Sequence, residues 1–168
     1  MKFSIKNVFT GITLAQYESL FFDKTFNEAM MPVAGLKRRE ELEAREEKGI
    51  IHRRLHVVPE RDFPPPLNKF IKGELSYIEI GAFDPAAHHQ KWTSEISVLP
   101  DKVKLGGDVT FKAVPAGVER VVSGTCTVSI FGLGGVIEKI IVDNLEETYA
   151  KVSKFTQQYI DAGKASQV

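Results

Sequence analysis

The sequence predicts an α+β fold in which a curved antiparallel sheet of about seven strands wraps a long C-terminal helix, with two short helices after the first strand. Two observations carry this expectation. Residues 131–162 hold the longest uninterrupted amphipathic pattern: Ile137, Ile141, Leu145, Thr148, Val152, Phe155 and Tyr159 recur at intervals of four and three, one face of an α-helix. Ahead of them, from residue 36 to residue 130, short alternating segments succeed one another with Gly49, Pro85, Pro100-Asp101 and Pro115-Ala116-Gly117 at the joints, as in a meander.

The elements follow in order. Phe3, Ile5, Asn7 and Phe9 alternate with Lys2, Ser4, Lys6, Val8 and Thr10, a first strand with one buried face that Gly11 ends. Thr13 and Gln16 form a capping box, and Leu14, Tyr17, Leu20 and Phe21 give the following short helix its apolar face. Asp23 caps a second short helix carrying Phe26, Ala29 and Met30, broken by Pro32 and Gly35.

Residues 37–48 set propensity against pattern. Ten of the twelve are charged and their types favour a helix, yet such a helix would have almost no apolar stripe. A strand with Leu36, Leu42 and Ala44 on one face, turning at Gly49 into the β-branched run 50–58, is the better reading, its charges forming a solvated face with cross-strand ion pairs. Residues 62–66 predict an extended loop and residues 67–71 one helical turn. Strands are expected at 74–84, 89–98, 103–114 and 118–130. Trp92, Ser94, Ile96 and Val98 share one face of the second of these, and Val109, Phe111 and Ala113 share one of the third.

The final helix, from about residue 133 to residue 162, would be ~45 Å long, enough to cross a whole small sheet. Its polar face carries Glu138, Lys139, Asp143, Glu146, Glu147, Lys151, Lys154, Gln157 and Asp161, and Glu147 stands four residues before Lys151 for a supporting ion pair. Gly163 is a suitable stop, and the tail beyond it is expected to fray.

Composition narrows the function classes. The 168 residues, 43% hydrophobic and 26% charged, fit one domain spanning residues 1–168 with one core. With 22 basic and 22 acidic residues there is no net charge to favour nucleic acid or an anionic membrane. The single Cys126 forms no internal disulfide, the opening Met-Lys-Phe-Ser-Ile-Lys lacks the apolar run of a secretory signal, and no stretch approaches a membrane span. A cytoplasmic protein with no integral membrane segment is expected, with only transient membrane contact left open.

Local motifs yield no cofactor, metal or catalytic assignment. Gly132-Leu133-Gly134-Gly135 before a helix fits neither the P-loop nor the dinucleotide fingerprint and reads as a strand-to-helix turn. His52 and His56, four apart on a strand, are ~13 Å from each other and would not share a metal. His88 and His89 fall in a turn with no identifiable partner, and Cys126 sits in a β-branched setting that suits a small buried apolar residue. Tyr77 and Glu79 share a strand face, and with Arg120 they could protonate and orient a carbonyl substrate. Ile78 and Ile80, on the opposite parity, argue instead that Tyr77 and Glu79 point outward.

The order of elements resembles the START-like helix-grip (SRPBCC) superfamily, which includes lipid-transfer domains, pollen-allergen proteins and polyketide cyclases, over nearly the whole chain. The run 117–130, Gly-Val-Glu-Arg-Val-Val-Ser-Gly-Thr-Cys-Thr-Val-Ser-Ile, leading into Gly134-Gly135-Val136-Ile137-Glu138, is similar to the last strand and helix start of an uncharacterised bacterial branch. The resemblance implies a hydrophobic ligand cavity between sheet and long helix and carries no shared catalytic residues. The residues expected to line that cavity are Ile78, Ile80, Trp92, Ile96, Val109, Phe111, Val128, Ile141, Leu145, Val152 and Phe155. The leading expectation is a non-catalytic binder or carrier of a lipid-, sterol- or polyketide-like molecule. A polyketide cyclase or dehydratase acting in the same cavity and an interaction protein with a filled core are the alternatives.

Overall fold

The computed structural model describes residues 1–60, 73–98 and 100–167. The chain runs β1 (Lys2–Thr10), α1 (Leu14–Phe22), α2 (Lys24–Met30), β2 (Leu36–Glu47), β3 (Ile50–Pro59), β4 (Tyr77–Asp84), β5 (His89–Ile96), β6 (Val103–Val114), β7 (Gly117–Val128), α3 (Gly134–Asp161) and a 3₁₀ turn, Lys164–Gln167. The described residues form a seven-stranded antiparallel sheet of order β1-β7-β6-β5-β4-β3-β2, as the alternating segments predict. The loop and helical turn expected within 62–71 lie outside the described residues.

The caps form as read. Thr13 Oγ1 accepts from the Gln16 amide at 3.3 Å while Gln16 Oε1 accepts from the Thr13 amide at 3.0 Å, and Asp23 Oδ1 accepts from Phe26 N at 2.6 Å. β1 and β2 are consecutive strands at opposite edges of the sheet, so α1 and α2 must carry the chain between them. They bring an aromatic cluster with them: Tyr17 stacks on Phe9 at 4.9 Å between centroids, Phe21 meets Phe111 at 5.1 Å and Phe22 meets Phe83 at 5.0 Å.

Residues 37–48 are a strand, and its edge position accounts for the charges. An unpaired edge invites association with other chains, and dense charge discourages it. Arg45 pairs with Glu43 at 3.1 Å and Glu47 at 2.6 Å, and Arg53 of β3 pairs with Glu41 at 2.8 Å. The expected common face of Leu36, Leu42 and Ala44 is not maintained. Register shifts between Leu36 and Arg38 and between Glu41 and Glu43 break the alternation, leaving Leu42 exposed.

One rung across the sheet, Phe3–Gly124–Gly107–Trp92–Gly81, sets three glycines beside two bulky rings. A Cβ at Gly107 would overlap the Ser123 carbonyl oxygen, so only glycine permits this approach of β6 to β7.

α3 packs along β7 and β1. Its buried positions are Ile137, Val142, Val152, Thr156 and Ile160. The buried stripe is thus wider than the sequence pattern suggests: Ile141, Leu145, Phe155 and Tyr159 are partly buried on one flank, and Thr156 is buried because its hydroxyl donates back to the Val152 carbonyl at 2.7 Å. Gly163, at φ +72°, ends the helix as anticipated. Where fraying is expected, Lys164–Gln167 form a 3₁₀ turn that buries Ala165 in the core and sets Lys164 Nζ 5.6 Å from the Tyr159 ring centroid.

Candidate functional site

Between α3 and the concave face of the sheet lies a cavity of about 370 Å³, within the ~300–1,000 Å³ range of small-molecule sites. α3 contributes Ile141, Asn144, Leu145, Thr148, Tyr149, Val152 and Thr156, while β5 and β6 contribute Trp92, Ser94, Ile96, Val103, Leu105 and Val109. Phe26, Met30 and Leu36 close it on the side of the short helices. The lining is mostly apolar, with a few polar groups distributed over it.

Of the residues predicted to line the cavity, Trp92, Ile96, Val109, Ile141, Leu145 and Val152 do so. Ile78, Ile80, Phe111, Val128 and Phe155 do not. Ile78 and Ile80 occupy the outer face of β4, where β-branched residues suit a pleated surface, while Tyr77 and Glu79 turn into the cavity with Gly81 and Phe83 on their parity. Phe111 belongs to the aromatic cluster under α1, and Phe155 packs against Phe26 at 6.0 Å. Val128 is buried where β7 gives way to α3, its amide donating to Glu138 Oε1 at 2.9 Å. One end of the interior is therefore filled while the middle is hollow.

Three charged side chains on the described residues reach this lining: Arg39, Glu79 and Arg120. Arg39 stands 3.8 Å from Glu79 and donates to Asn27 Oδ1 at 2.8 Å. Arg120 is 5% exposed, facing inward on β7 with Val118 and Val122. Its guanidinium lies 5.2 Å from the Phe9 ring centroid and 5.1 Å from that of Tyr149. Nη1 donates to the Tyr17 hydroxyl at 3.3 Å and Nη2 to Asn7 Oδ1 at 2.8 Å. Asn7 is the direct cross-strand neighbour of Arg120, so the β1–β7 register itself creates that bond.

Three phenols accompany the charges. Burial raises the pKa of Tyr17 against the opposing pull of Arg120, raises that of Tyr77 with help from Glu79, and pushes Tyr149 up to about 12. All three are neutral donors at physiological pH. Because their folded values lie above the unfolded value of about 10, the stability tied to their neutral forms is intact below pH 10 and is lost as pH rises toward 12. A melting series from pH 8 to 12 should show this loss, and Tyr149→Phe should reduce its slope; a flat profile would contradict the burial of these phenols.

The two histidines expected in a turn have partners that the sequence does not reveal, and only His88 lies in the turn, His89 being the first residue of β5. His88, at φ +51°, places Nδ1 2.7 Å from Glu18 of α1, and His89 Nε2 lies 2.7 Å from Asp108 of β6. Neither lines the cavity. Cys126 is fully buried, and burial pushes its thiol up to about 11, in keeping with a packing role.

A seven-stranded sheet curved around a long C-terminal helix, with two short helices after the first strand, is a helix-grip arrangement. Solved structures of similar shape agree. TTHA0849 from Thermus thermophilus superposes with a TM-score of 0.68 at 16% identity, over 97% of this chain and 99% of that one. Ara h 8.0201 gives 0.61 at 12% identity, over 92% and 96%. The di-domain ARO/CYC StfQ from the steffimycin biosynthetic pathway gives 0.57 at 11% identity, over 96% of this chain and 46% of that one. These likenesses establish the fold alone. Residues 9–160 match the family described as protein of unknown function DUF2505, and the chain belongs to that family. No curated protein sequence matches it. Among the described residues no helix is long and apolar enough to cross a membrane.

Proposed function

We propose that the protein binds and carries a hydrophobic small molecule, of lipid-, sterol- or polyketide-like character, between α3 and the sheet. The observation that carries this reading is the cavity of about 370 Å³ with its largely apolar lining, in a position where ordinary cores are packed solid. A filled-core interaction protein would not need that space.

A cyclase or dehydratase is the second reading, favoured by the inward placement of Tyr77, Glu79 and Arg120 and by the likeness to StfQ, named as an ARO/CYC. The chemistry favours the carrier. Among the described residues no hydrogen bond joins those three side chains: Arg120 is bonded to Tyr17 and Asn7, and Glu79 faces Arg39. Proton transfer is most efficient when the donor titrates near the working pH, and burial moves the phenols the other way. They are better suited to orienting a guest than to reacting with it.

Native mass spectrometry with organic extraction of the purified protein should reveal a co-purifying apolar guest. Adding such a guest should shift the emission of Trp92, the single tryptophan, and raise the melting temperature by the usual linkage between binding and stability. The carrier reading falls if the protein is empty and a broad panel of lipids, sterols and aromatic polyketide-like compounds changes neither signal.

A further inference from the structure

Among the described residues, two buried donors in this site lack an acceptor: Arg120 Nε and Trp92 Nε1. Both residues line the cavity, and Arg120 is 5% exposed. A buried donor left unpaired is costly, and few native structures retain one without a reason. The Arg120 guanidinium has a second deficit. Its oxygen partners, the Tyr17 hydroxyl and the Asn7 amide, are neutral, and no described carboxylate pairs with it; the nearest charge balance in the lining, Glu79, faces Arg39. Arg39, Glu79 and Arg120 together leave one positive charge among the described lining residues.

We propose that the cavity selects amphiphiles bearing a single carboxylate, with Arg120 Nε donating to that carboxylate and the apolar body lying along Val109, Ile141, Leu145 and Val152. This rests on the carrier reading and narrows its ligand class. A neutral carbonyl or a water molecule would satisfy the donor but leave the buried charge uncompensated; a carboxylate does both, through a charge-assisted bond. The guanidinium lies over the Phe9 and Tyr149 rings, and Nη1 and Nη2 already donate to Tyr17 and Asn7, so Nε is the nitrogen without a partner among the described residues. Trp92 Nε1 offers a second donor to a guest with a further oxygen.

The test compares matched compounds on the full chain: dodecanoic acid, its methyl ester and dodecan-1-ol, and, on a rigid scaffold, naphthoic acid and its methyl ester. Affinity is read by calorimetry and by Trp92 emission. On whichever scaffold binds, the acid should bind the wild type roughly ten- to hundredfold more tightly than the ester, the effect expected of a hydrogen bond to a charged group. Arg120→Met should abolish that preference while retaining the ester. Equal binding of acid and ester to the wild type overturns the proposal without need of any variant, so it remains decidable even if Arg120→Met fails to fold. A preference that survives Arg120→Met, or that is lost instead in Arg39→Met, also overturns it. In these cases ligands still bind and the carrier reading stands. If no compound of either scaffold binds, this proposal fails, and the carrier reading is decided separately by the organic extraction and the broad panel.

Discussion

Gly107→Val should unfold the protein or lower its stability by about 3 kcal/mol or more, a large share of the ~5–15 kcal/mol that holds a domain together. At this position the obstacle is backbone. A Cβ would overlap the Ser123 carbonyl, which is fixed in the β6–β7 ladder and cannot swing aside like a flexible side chain. The damage would spread, because the same rung seats Trp92 beside Gly107 and Phe3 beside Gly124, with the two rings 6.4 Å apart. Gly135→Ala is the informative comparison: nothing lies within 4 Å of a Cβ built there, and removing a glycine from the first turn of α3 should stabilise by about 0.5–1 kcal/mol. Similar chemical denaturation midpoints for the two variants would contradict the close approach of β6 and β7 at Gly107.

Ile137→Asp should cost about 4 kcal/mol or more, lowering the melting temperature by roughly 10 °C or more. Ile137 is 0% exposed near the start of α3, where the helix is committed to the core. The substitution would lose the burial of a branched side chain and put a carboxyl group into the same space. Lys154→Ala, on the exposed face two turns before the helix ends, should change stability by less than about 0.5 kcal/mol. Matching thermal melts for Ile137→Asp and Lys154→Ala would show that α3 packs by some other face.

What could be read from the sequence follows from which rules have a fixed period. Strand alternation and helix spacing are local, so β1, both short helices and their caps, the meander and α3 are legible from residue types alone. The failures occur where one local rule is broken by geometry. In β2 two register shifts reverse the parity, and nothing in a run of Glu and Arg announces them. In β4 the rule that apolar means inward favours Ile78 and Ile80, whereas a cavity wall admits Tyr77 and Glu79 because it is lined by space as well as by neighbours. A signal was present there: Phe83 shares the parity of Tyr77 and Glu79 and is buried. Likewise Arg120 shares its parity with Val118, Val122, Cys126 and Val128, all buried, so the alternation of β7 points the guanidinium inward despite its charge. The donors without acceptors could not be read, since hydrogen-bond satisfaction depends on residues distant in the chain: Asn7 and Tyr17 reach Arg120 only through the fold.

The pairing of β1 with β7 bears on how the molecule is made. Lys2 aligns with Thr125 and Thr10 with Gly117, so among the described residues β1, the earliest of the seven strands, has its sheet neighbour in β7, the latest of them. During translation β3 to β6 can assemble as successive hairpins, but β1 must wait with Phe3, Ile5 and Phe9 unsheltered until β7 and then α3 emerge. Contacts so distant along the chain are slow to form, and an apolar strand left waiting is open to the wrong partner. Lys2, Ser4, Lys6 and Thr10, interleaved with those apolar residues, keep the waiting strand hydrated on one side, a service they render before there is any fold to stabilise.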